Sequence, residues 1–180
     1  MPLNDIDLQS YIRSIENWPK KGVIFRDITT LFESPIAFRT VIDRLIYRYF
    51  DQDITRIAAI DARGFLLGSP LAYALNKPLV LVRKKGKLPA KTISQDYELE
   101  YGTATIEMHE DALNENDKVL LIDDLIATGG TILAAAKLIQ TCGALIIEAA
   151  ALIDIPELGG SRRLIVADIP VYTICSFDGK

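Results

Sequence analysis

From Val119 to Leu133 the chain reads Val-Leu-Leu-Ile-Asp-Asp-Leu-Ile-Ala-Thr-Gly-Gly-Thr-Ile-Leu, and few folds accommodate residues in that order. Val119 to Ile122 is an apolar, partly β-branched run of the kind that forms a strand covered on both faces. Two carboxylates, Asp123 and Asp124, stand where the run ends, so chemistry is expected there. Ala127 to Thr131 are all small, and glycines can take backbone angles closed to other residues, so such a loop can turn several N–H groups toward one point. Ile132, Leu133, Ala136 and Ile139 then recur at helical spacing, which puts the loop at a helix N-terminus with its partial positive charge. An anion, most simply a phosphate, suits that cradle. The two aspartates cannot share it and are expected to face a polyol or a metal beside it.

Two better-known phosphate loops are excluded. The Walker pattern requires Gly-Lys-Ser/Thr, whereas Gly130 is followed by Thr131 and Ile132; the dinucleotide fingerprint requires a third glycine that is absent.

A chain of 180 residues fits one domain, large enough to bury a core without covalent staples. The net charge of −4 gives no overall attraction to nucleic acid or to an anionic membrane. The first residues, Met1 to Asp7, are acidic without an apolar leader, and no apolar run approaches the roughly 18 residues of a membrane span, so a cytoplasmic location is expected. Cys142 and Cys175 fit reduced core residues better than a bridge. A single histidine, His109, cannot build a zinc site or a convincing triad and is read as a surface residue.

Leu8, Tyr11, Ile12 and Ile15 recur at helical spacing, so Asp7 to about Asn17 is expected to open the chain as an amphipathic helix ended by Trp18-Pro19-Lys20-Lys21-Gly22. Val23-Ile24-Phe25 is short for a central strand and aromatic for a connector; it is expected to cover something. Ser34-Pro35 starts a helix continued by Phe38, Val41, Ile42, Leu45, Ile46 and Tyr49. Ile57 to Ile60 reads as a buried strand ending in Asp61-Ala62-Arg63-Gly64, Phe65 to Leu75 as a helix, and Leu79 to Val82 as the next strand. Arg83, Lys84, Lys85, Lys87 and Lys91 make the one dense basic patch, just beyond that strand's carboxyl end, where α/β sheets bind ligands. Alternation from Thr92 to Met108 around Glu100-Tyr101-Gly102 reads as a hairpin or flap. Ala144 to Ile153 is another buried strand, and Leu164 to Val166 and Val171 to Ile174 read as short closing strands.

Strand and helix alternate through the middle, so the fold class is α/β: a doubly wound, mainly parallel sheet flanked by helices, with its site along the strand carboxyl ends. Asp61 to Gly64, Arg83 to Lys87, Asp123 to Thr131 and Asp154 converge at that edge. Cations, an anion cradle and carboxylates in one crevice suit a substrate with phosphates at both ends and hydroxyls between.

Five blocks carry a resemblance over nearly the whole chain: Gly22 to Ile28 (Gly-Val-Ile-Phe-Arg-Asp-Ile), Asp61 to Phe65 (Asp-Ala-Arg-Gly-Phe), Val82 to Pro89, Leu99 to Gly102 (Leu-Glu-Tyr-Gly) and Asp123 to Thr131. Their order and spacing resemble the type I phosphoribosyltransferase family, and within it the branch that uses adenine. The resemblance implies a single domain over 1–180, with an N-terminal helix and base-covering hood at 1–34 and a flexible catalytic flap at 84–108. It also implies a sharp bend after the second strand, with a cis bond between Asp61 and Ala62. The implied activity is purine salvage, transfer of the 5-phosphoribosyl group from 5-phosphoribosyl 1-diphosphate to adenine, giving AMP and diphosphate.

By the same resemblance, Arg63, Arg83, Lys84 and Lys87 grip the diphosphate, while Lys85 and Lys91 are left without a role. Asp123 and Asp124 lie along the ribose, and Ala127, Thr128, Gly129, Gly130 and Thr131 hold the 5′-phosphate. Phe25 and Leu125 sandwich the adenine, whose edge is read by main-chain groups near Ile24 and Arg26. Glu100, on the flap, is the catalytic residue. Mg²⁺ enters mainly on the substrate, not on a protein metal site. A homodimer is expected, and neither nucleic acid nor membrane is expected as a partner. Two other functions fit the same fold: a 6-oxopurine phosphoribosyltransferase, for whose base-reading lysine the Val23 to Asp27 segment offers no clear counterpart, and a non-enzymatic ligand-sensing regulator.

Overall fold

The computed structural model describes residues 6–98 and 102–178. Its frame is a parallel layer: β3 (Arg56–Ile60), β4 (Leu79–Lys84), β7 (Lys118–Ile126), β8 (Leu145–Asp154) and β9 (Val171–Ser176). β5 (Thr92–Glu98) and β6 (Thr103–His109) add an antiparallel hairpin at one edge, so the seven strands run β5-β6-β4-β3-β7-β8-β9. β3 pairs in parallel with both β4 and β7, the position of a central strand.

Alternation sorts the core onto the two faces. Val119 and Leu121 of β7, with Ala58 and Ile60 of β3, pack on α4 (Gly130–Thr141). Leu120, Ile122, Ile57 and Ala59 pack on the other face against α2 (Pro35–Tyr49) and α3 (Gly64–Ala74). A strand covered on both sides has no polar face to present, which is why its sequence is a continuous apolar run. α2 begins where expected: Pro35 occupies its first turn and the Ser34 hydroxyl accepts a bond from the Ala37 N–H at 3.4 Å.

Four sequence expectations give way. Asp7 to Asn17 is not a helix: a single 3-10 turn, Leu8–Tyr11, is capped by Asp7, and the chain then extends as β1 (Arg13–Glu16), antiparallel to β2 (Ile24–Asp27). Leu8 and Ile12 remain buried, but pairing of Ile15 with Phe25 and the Arg13–Asp27 ion pair hold the later residues in a ribbon. The reversal between β1 and β2 uses Asn17 at φ 57° and a cis Trp18–Pro19 bond. Leu164 to Val166 is not a strand but the end of α5 (Gly160–Val166); β8 and β9 are parallel, so the chain must cross over between them, and α5 does so with Leu164 buried and Ile165 and Val166 exposed. β7 runs on to Ile126, so Asp123 and Asp124 lie within the strand's last turn of pairing, opposite β8, not beyond it. His109 is half-buried, because it pairs with Thr92 inside the hairpin, and its Nε2 is enclosed without a hydrogen-bond partner.

The flap's two strands are in register from Thr92 opposite His109 to Glu98 opposite Thr103. The short helix α1 (Thr29–Glu33) joins the N-terminal ribbon to α2. Cys142 and Cys175 are both free thiols, and burial pushes the Cys175 thiol up to about 11.

Candidate active site

The strand ends gather their polar residues by pairing them. The Asp61–Ala62 peptide, directly after β3, is cis. Asp61 accepts a bond at 3.0 Å from Nε of Arg83, which β4 carries at the neighbouring strand end. Arg63, opening α3, donates from Nε to Oδ2 of Asp124 at 2.5 Å. Asp124 is buried, while Arg63 is half exposed and keeps the rest of its guanidinium available.

Asp123 and Asp124 form a compact acidic pair, since the Asp124 N–H donates to Oδ1 of Asp123 at 2.8 Å. Desolvation first, and the neighbouring Asp124 charge second, push the Asp123 carboxyl well above the usual carboxylate range. A group so poised gains most from a partner that donates hydrogen bonds or carries positive charge.

Past Ile126 the chain turns through Ala127 to Gly129, whose φ of 78° is left-handed, and α4 starts with the Leu133 N–H bonded to the Gly129 carbonyl at 2.9 Å. Asp123, Leu125, Ala127, Thr128, Gly129, Gly130, Thr131 and Ile132 line a cavity of about 80 Å³. Asp123 and the loop of small residues therefore share one recess, and Asp124, outside its wall, is joined to it through the bond from its N–H to Asp123. A second, wider cavity of about 520 Å³ opens beside it, between Asp96, Tyr97 and Glu98 of the flap, Lys137 of α4 and Arg163 of α5.

The basic loop is shaped from two sides. Arg83 donates from Nη1 to the Lys87 carbonyl at 3.2 Å, and the Gly86 N–H donates to Oε2 of Glu107 at 2.9 Å. Lys84 stands at the end of β4 and Lys87 on the loop itself, both exposed. Sequence reasoning saw Glu107 only as one position in an alternating strand; its burial opposite Arg83 in the β4–β6 pairing is the missed feature.

The N-terminal ribbon leans over the same edge. Phe25 lies 4.3 Å from Trp18, ring centre to centre, and 5.9 Å below the Arg63 guanidinium. β2 belongs to a two-stranded ribbon, so one edge of Ile24, Phe25 and Arg26 carries no strand partner and can offer main-chain groups to a ligand. The Arg26 side chain is committed elsewhere: it donates to Ser14 Oγ and the Asp178 carbonyl and lies 4.6 Å over the Phe177 ring. Glu100 lies outside the described residues. Gly160, which lies against the Ala127 to Gly129 loop, was not singled out from the sequence; the doubled glycine Gly159-Gly160, just after the 3-10 turn that follows β8, was the available signal.

A doubly wound sheet with an acidic pair and a glycine-opened loop at one strand end is the frame of this chain, and the phosphoribosyl transferase domain model matches its residues 28–169. The chain belongs to the phosphoribosyltransferase family and has its type I fold. It is 59% identical over 172 residues to the adenine phosphoribosyltransferase of Marinobacter nauticus, covering 96% of each chain. The crystal structure of the Rhodothermus marinus adenine phosphoribosyltransferase superposes with a TM-score of 0.87 at 43% identity, covering 94% of this chain and 96% of that one. The Trypanosoma brucei adenine phosphoribosyl transferase, solved with AMP, pyrophosphate and ribose-5-phosphate, gives 0.88 at 30% identity over 98% of this chain and 80% of that one.

Proposed function

We propose that this chain is a purine salvage enzyme that transfers the 5-phosphoribosyl group from 5-phosphoribosyl 1-diphosphate to adenine, giving AMP and diphosphate. The observation that carries the reading is Asp123 sharing one recess with the loop from Ala127 to Thr131, with Asp124 bonded to it and linking it to Arg63, and Arg83 paired to Asp61 at the neighbouring strand end. The relatives' names supply the base.

The bond to diphosphate breaks with its electron pair leaving on the diphosphate, and a purine nitrogen bonds to the ribose carbon and gives up its proton. Positive charge grows on the ribose and negative charge on the leaving group, so catalysis asks for placement and charge compensation more than for a nucleophile. The N–H groups of Ala127 to Thr131 hold the 5′-phosphate, and Asp123 and Asp124 take the ribose hydroxyls. Arg63, Arg83, Lys84 and Lys87 offset the leaving charge; the first two are already oriented by Asp124 and Asp61. Phe25 and Leu125 take the faces of the adenine, and the free edge at Ile24 and Arg26 reads its rim. A carbonyl facing the 6-amino group would meet an oxygen in hypoxanthine and leave a polar group unpaired, at a cost of about 1–3 kcal/mol. Glu100 stabilises or exchanges the purine proton.

The donor chemistry fits a divalent cation that arrives on the substrate. Asp123 and Asp124 are hard oxygen donors beside the cradle, and among the described residues no three His, Cys, Asp or Glu side chains close around a metal. Mg²⁺, held mainly by the diphosphate and approached by these two carboxylates, would supply further charge compensation. A homodimer completes the proposal, supported by Leu66 and Tyr73, which stand one heptad apart and exposed on α3. So does a cytoplasmic location; among the described residues no helix is long and apolar enough to cross a membrane. The domain plan is that of one catalytic unit, with residues 1–34 as base-covering hood and 84–108 as flap.

The test follows absorbance when the purified protein, Mg²⁺ and 5-phosphoribosyl 1-diphosphate meet adenine, hypoxanthine or guanine, with Glu100→Gln as a second enzyme. Conversion of adenine alone, slowed strongly by the substitution, is expected. Turnover of an oxopurine instead would refute the base assignment, and no transfer to any base would leave a binding module.

A further inference from the structure

An anion cradle works only if its N–H groups face the anion and its carbonyls face away. In a trans peptide the C=O and the next residue's N–H point in opposite directions, so whatever pins a carbonyl also aims the following N–H. Two consecutive carbonyls of the loop are pinned in this way. The Ala127 carbonyl accepts from the Gly160 N–H at 3.0 Å, and the Thr128 carbonyl accepts from Nη1 of Arg163 at 2.8 Å. Both donors belong to α5, so the N–H groups of Thr128 and Gly129 are turned away from α5. The small recess lined by Asp123, Leu125 and Ala127 to Ile132 has no α5 residue in its wall.

The approach of α5 to the loop is too close for a side chain. A Cβ on Gly160 would lie 2.3 Å from the Ala127 carbonyl oxygen and 2.6 Å from the Gly129 nitrogen. The helix is fixed from behind by Leu164, which is fully buried, while Arg163 itself is exposed. Arg163 therefore contributes little to the core, and its bond to the Thr128 carbonyl is its defined contact with the site.

We infer that Gly160 and Arg163 are positioning residues for the 5′-phosphate: α5 braces the loop from outside, holding two carbonyls back so that two N–H groups stay aimed at the anion. The inference rests on the phosphoribosyl-transfer reading for its ligand. Without Arg163 the Thr128 peptide is free to rotate and present its oxygen to the phosphate, which raises the cost of binding without disturbing the adenine pocket.

The test compares the full-length protein with Arg163→Met, Arg163→Lys and Gly160→Ala in steady-state kinetics, thermal unfolding and titration calorimetry with ribose 5-phosphate. Arg163→Met is expected to raise KM for 5-phosphoribosyl 1-diphosphate and the Kd of ribose 5-phosphate together by about five- to tenfold, the scale of one ordinary hydrogen bond, because Arg163 is exposed and water offsets part of its charge. KM for adenine and the melting temperature are expected to hold, and Arg163→Lys is expected to recover most of the loss. Gly160→Ala, provided it unfolds at a normal temperature, is expected to weaken ribose 5-phosphate at least as much. The effect is expected to persist at about 0.5 M salt, where the screening length is only about 4 Å. Unchanged KM and Kd in Arg163→Met would overturn the brace, and so would a loss that disappears in high salt, which would reduce Arg163 to a remote charge. Weaker ribose 5-phosphate in Arg163→Met, in a wild-type protein that transfers to no base, would keep the brace and remove the reaction.

Discussion

Replacing Asp124 by Asn removes one negative charge from a buried position and leaves the shape nearly intact. Its carboxylate accepts from Arg63 at 2.5 Å and borders the Asp123 carboxyl through the Asp124 N–H. Arg63 is half exposed, so water replaces much of what the pair provides, and the stability loss is expected to be about 1 kcal/mol, or roughly 2–4 °C in melting temperature for a domain of this size. The loss in catalysis is larger. A charge-assisted bond to a ribose hydroxyl contributes about 1.5–3 kcal/mol, so kcat/KM should fall about ten- to 150-fold at neutral pH. The pH profile carries an independent sign. Burial holds the Asp123 carboxyl up, and the Asp124 charge adds to that rise; removing the charge lets the Asp123 value fall. Any acidic limb of the rate profile that reports Asp123 should therefore move to lower pH in the variant. The assay is the absorbance change on adenine conversion from pH 5 to 9, paired with calorimetric unfolding. A kcat/KM within twofold of wild type would refute the placement of Asp124 at the ribose, and a limb moving to higher pH would refute the electrostatic argument.

Gly129→Ala asks alanine to hold φ 78° with its Cβ 3.0 Å from Gly160, so a stability loss of about 1–2 kcal/mol is expected together with weaker ribose 5-phosphate binding, read by denaturant unfolding and calorimetry. Glu148 takes two bonds from Arg48 and one from the Tyr49 hydroxyl between α2 and β8, so Glu148→Ala should destabilise by about 2–4 kcal/mol, with kinetic constants unchanged at a temperature where the variant stays folded. The bonds from Arg13 and Thr29 lower the Asp27 carboxyl from 3.8 to about 2. A depressed folded value stabilises fully above the unfolded pKa and is lost as pH falls through the folded one. The ribbon's contribution should therefore vanish between about pH 4 and pH 2, and Asp27→Asn should flatten the stability curve across that window.

Much of this molecule is legible before folding because its cues are local. Ser34 and Pro35 start α2 with a hydroxyl and a fixed φ that lie within one turn of the residues they serve. The apolar run of β7 and the small residues after it specify a buried strand and a tight turn into α4 for the same reason: both are properties of consecutive residues. The flap, too, follows from alternation alone. Where the local pattern was ambiguous, tertiary pairing chose. Leu8, Ile12 and Ile15 satisfy a helix as well as a turn and a ribbon, and β2 settled the matter by offering Arg13 and Ile15 the partners Asp27 and Phe25. Leu164 to Val166 carry strand-forming side chains but bridge two parallel strands, a connection that requires a crossover helix.

What the sequence by itself determined is the inventory of the proposed site: which groups are acidic, which are cationic, and where the backbone can bend sharply. What only the tertiary structure decided is who holds whom. Arg63 meets Asp124 from 61 residues away and Arg163 meets Thr128 from 35, while the buried Glu107 fixes the turn of the basic loop. Such partnerships depend on which strand ends the topology brings together, and no periodicity along the chain records a distance through space.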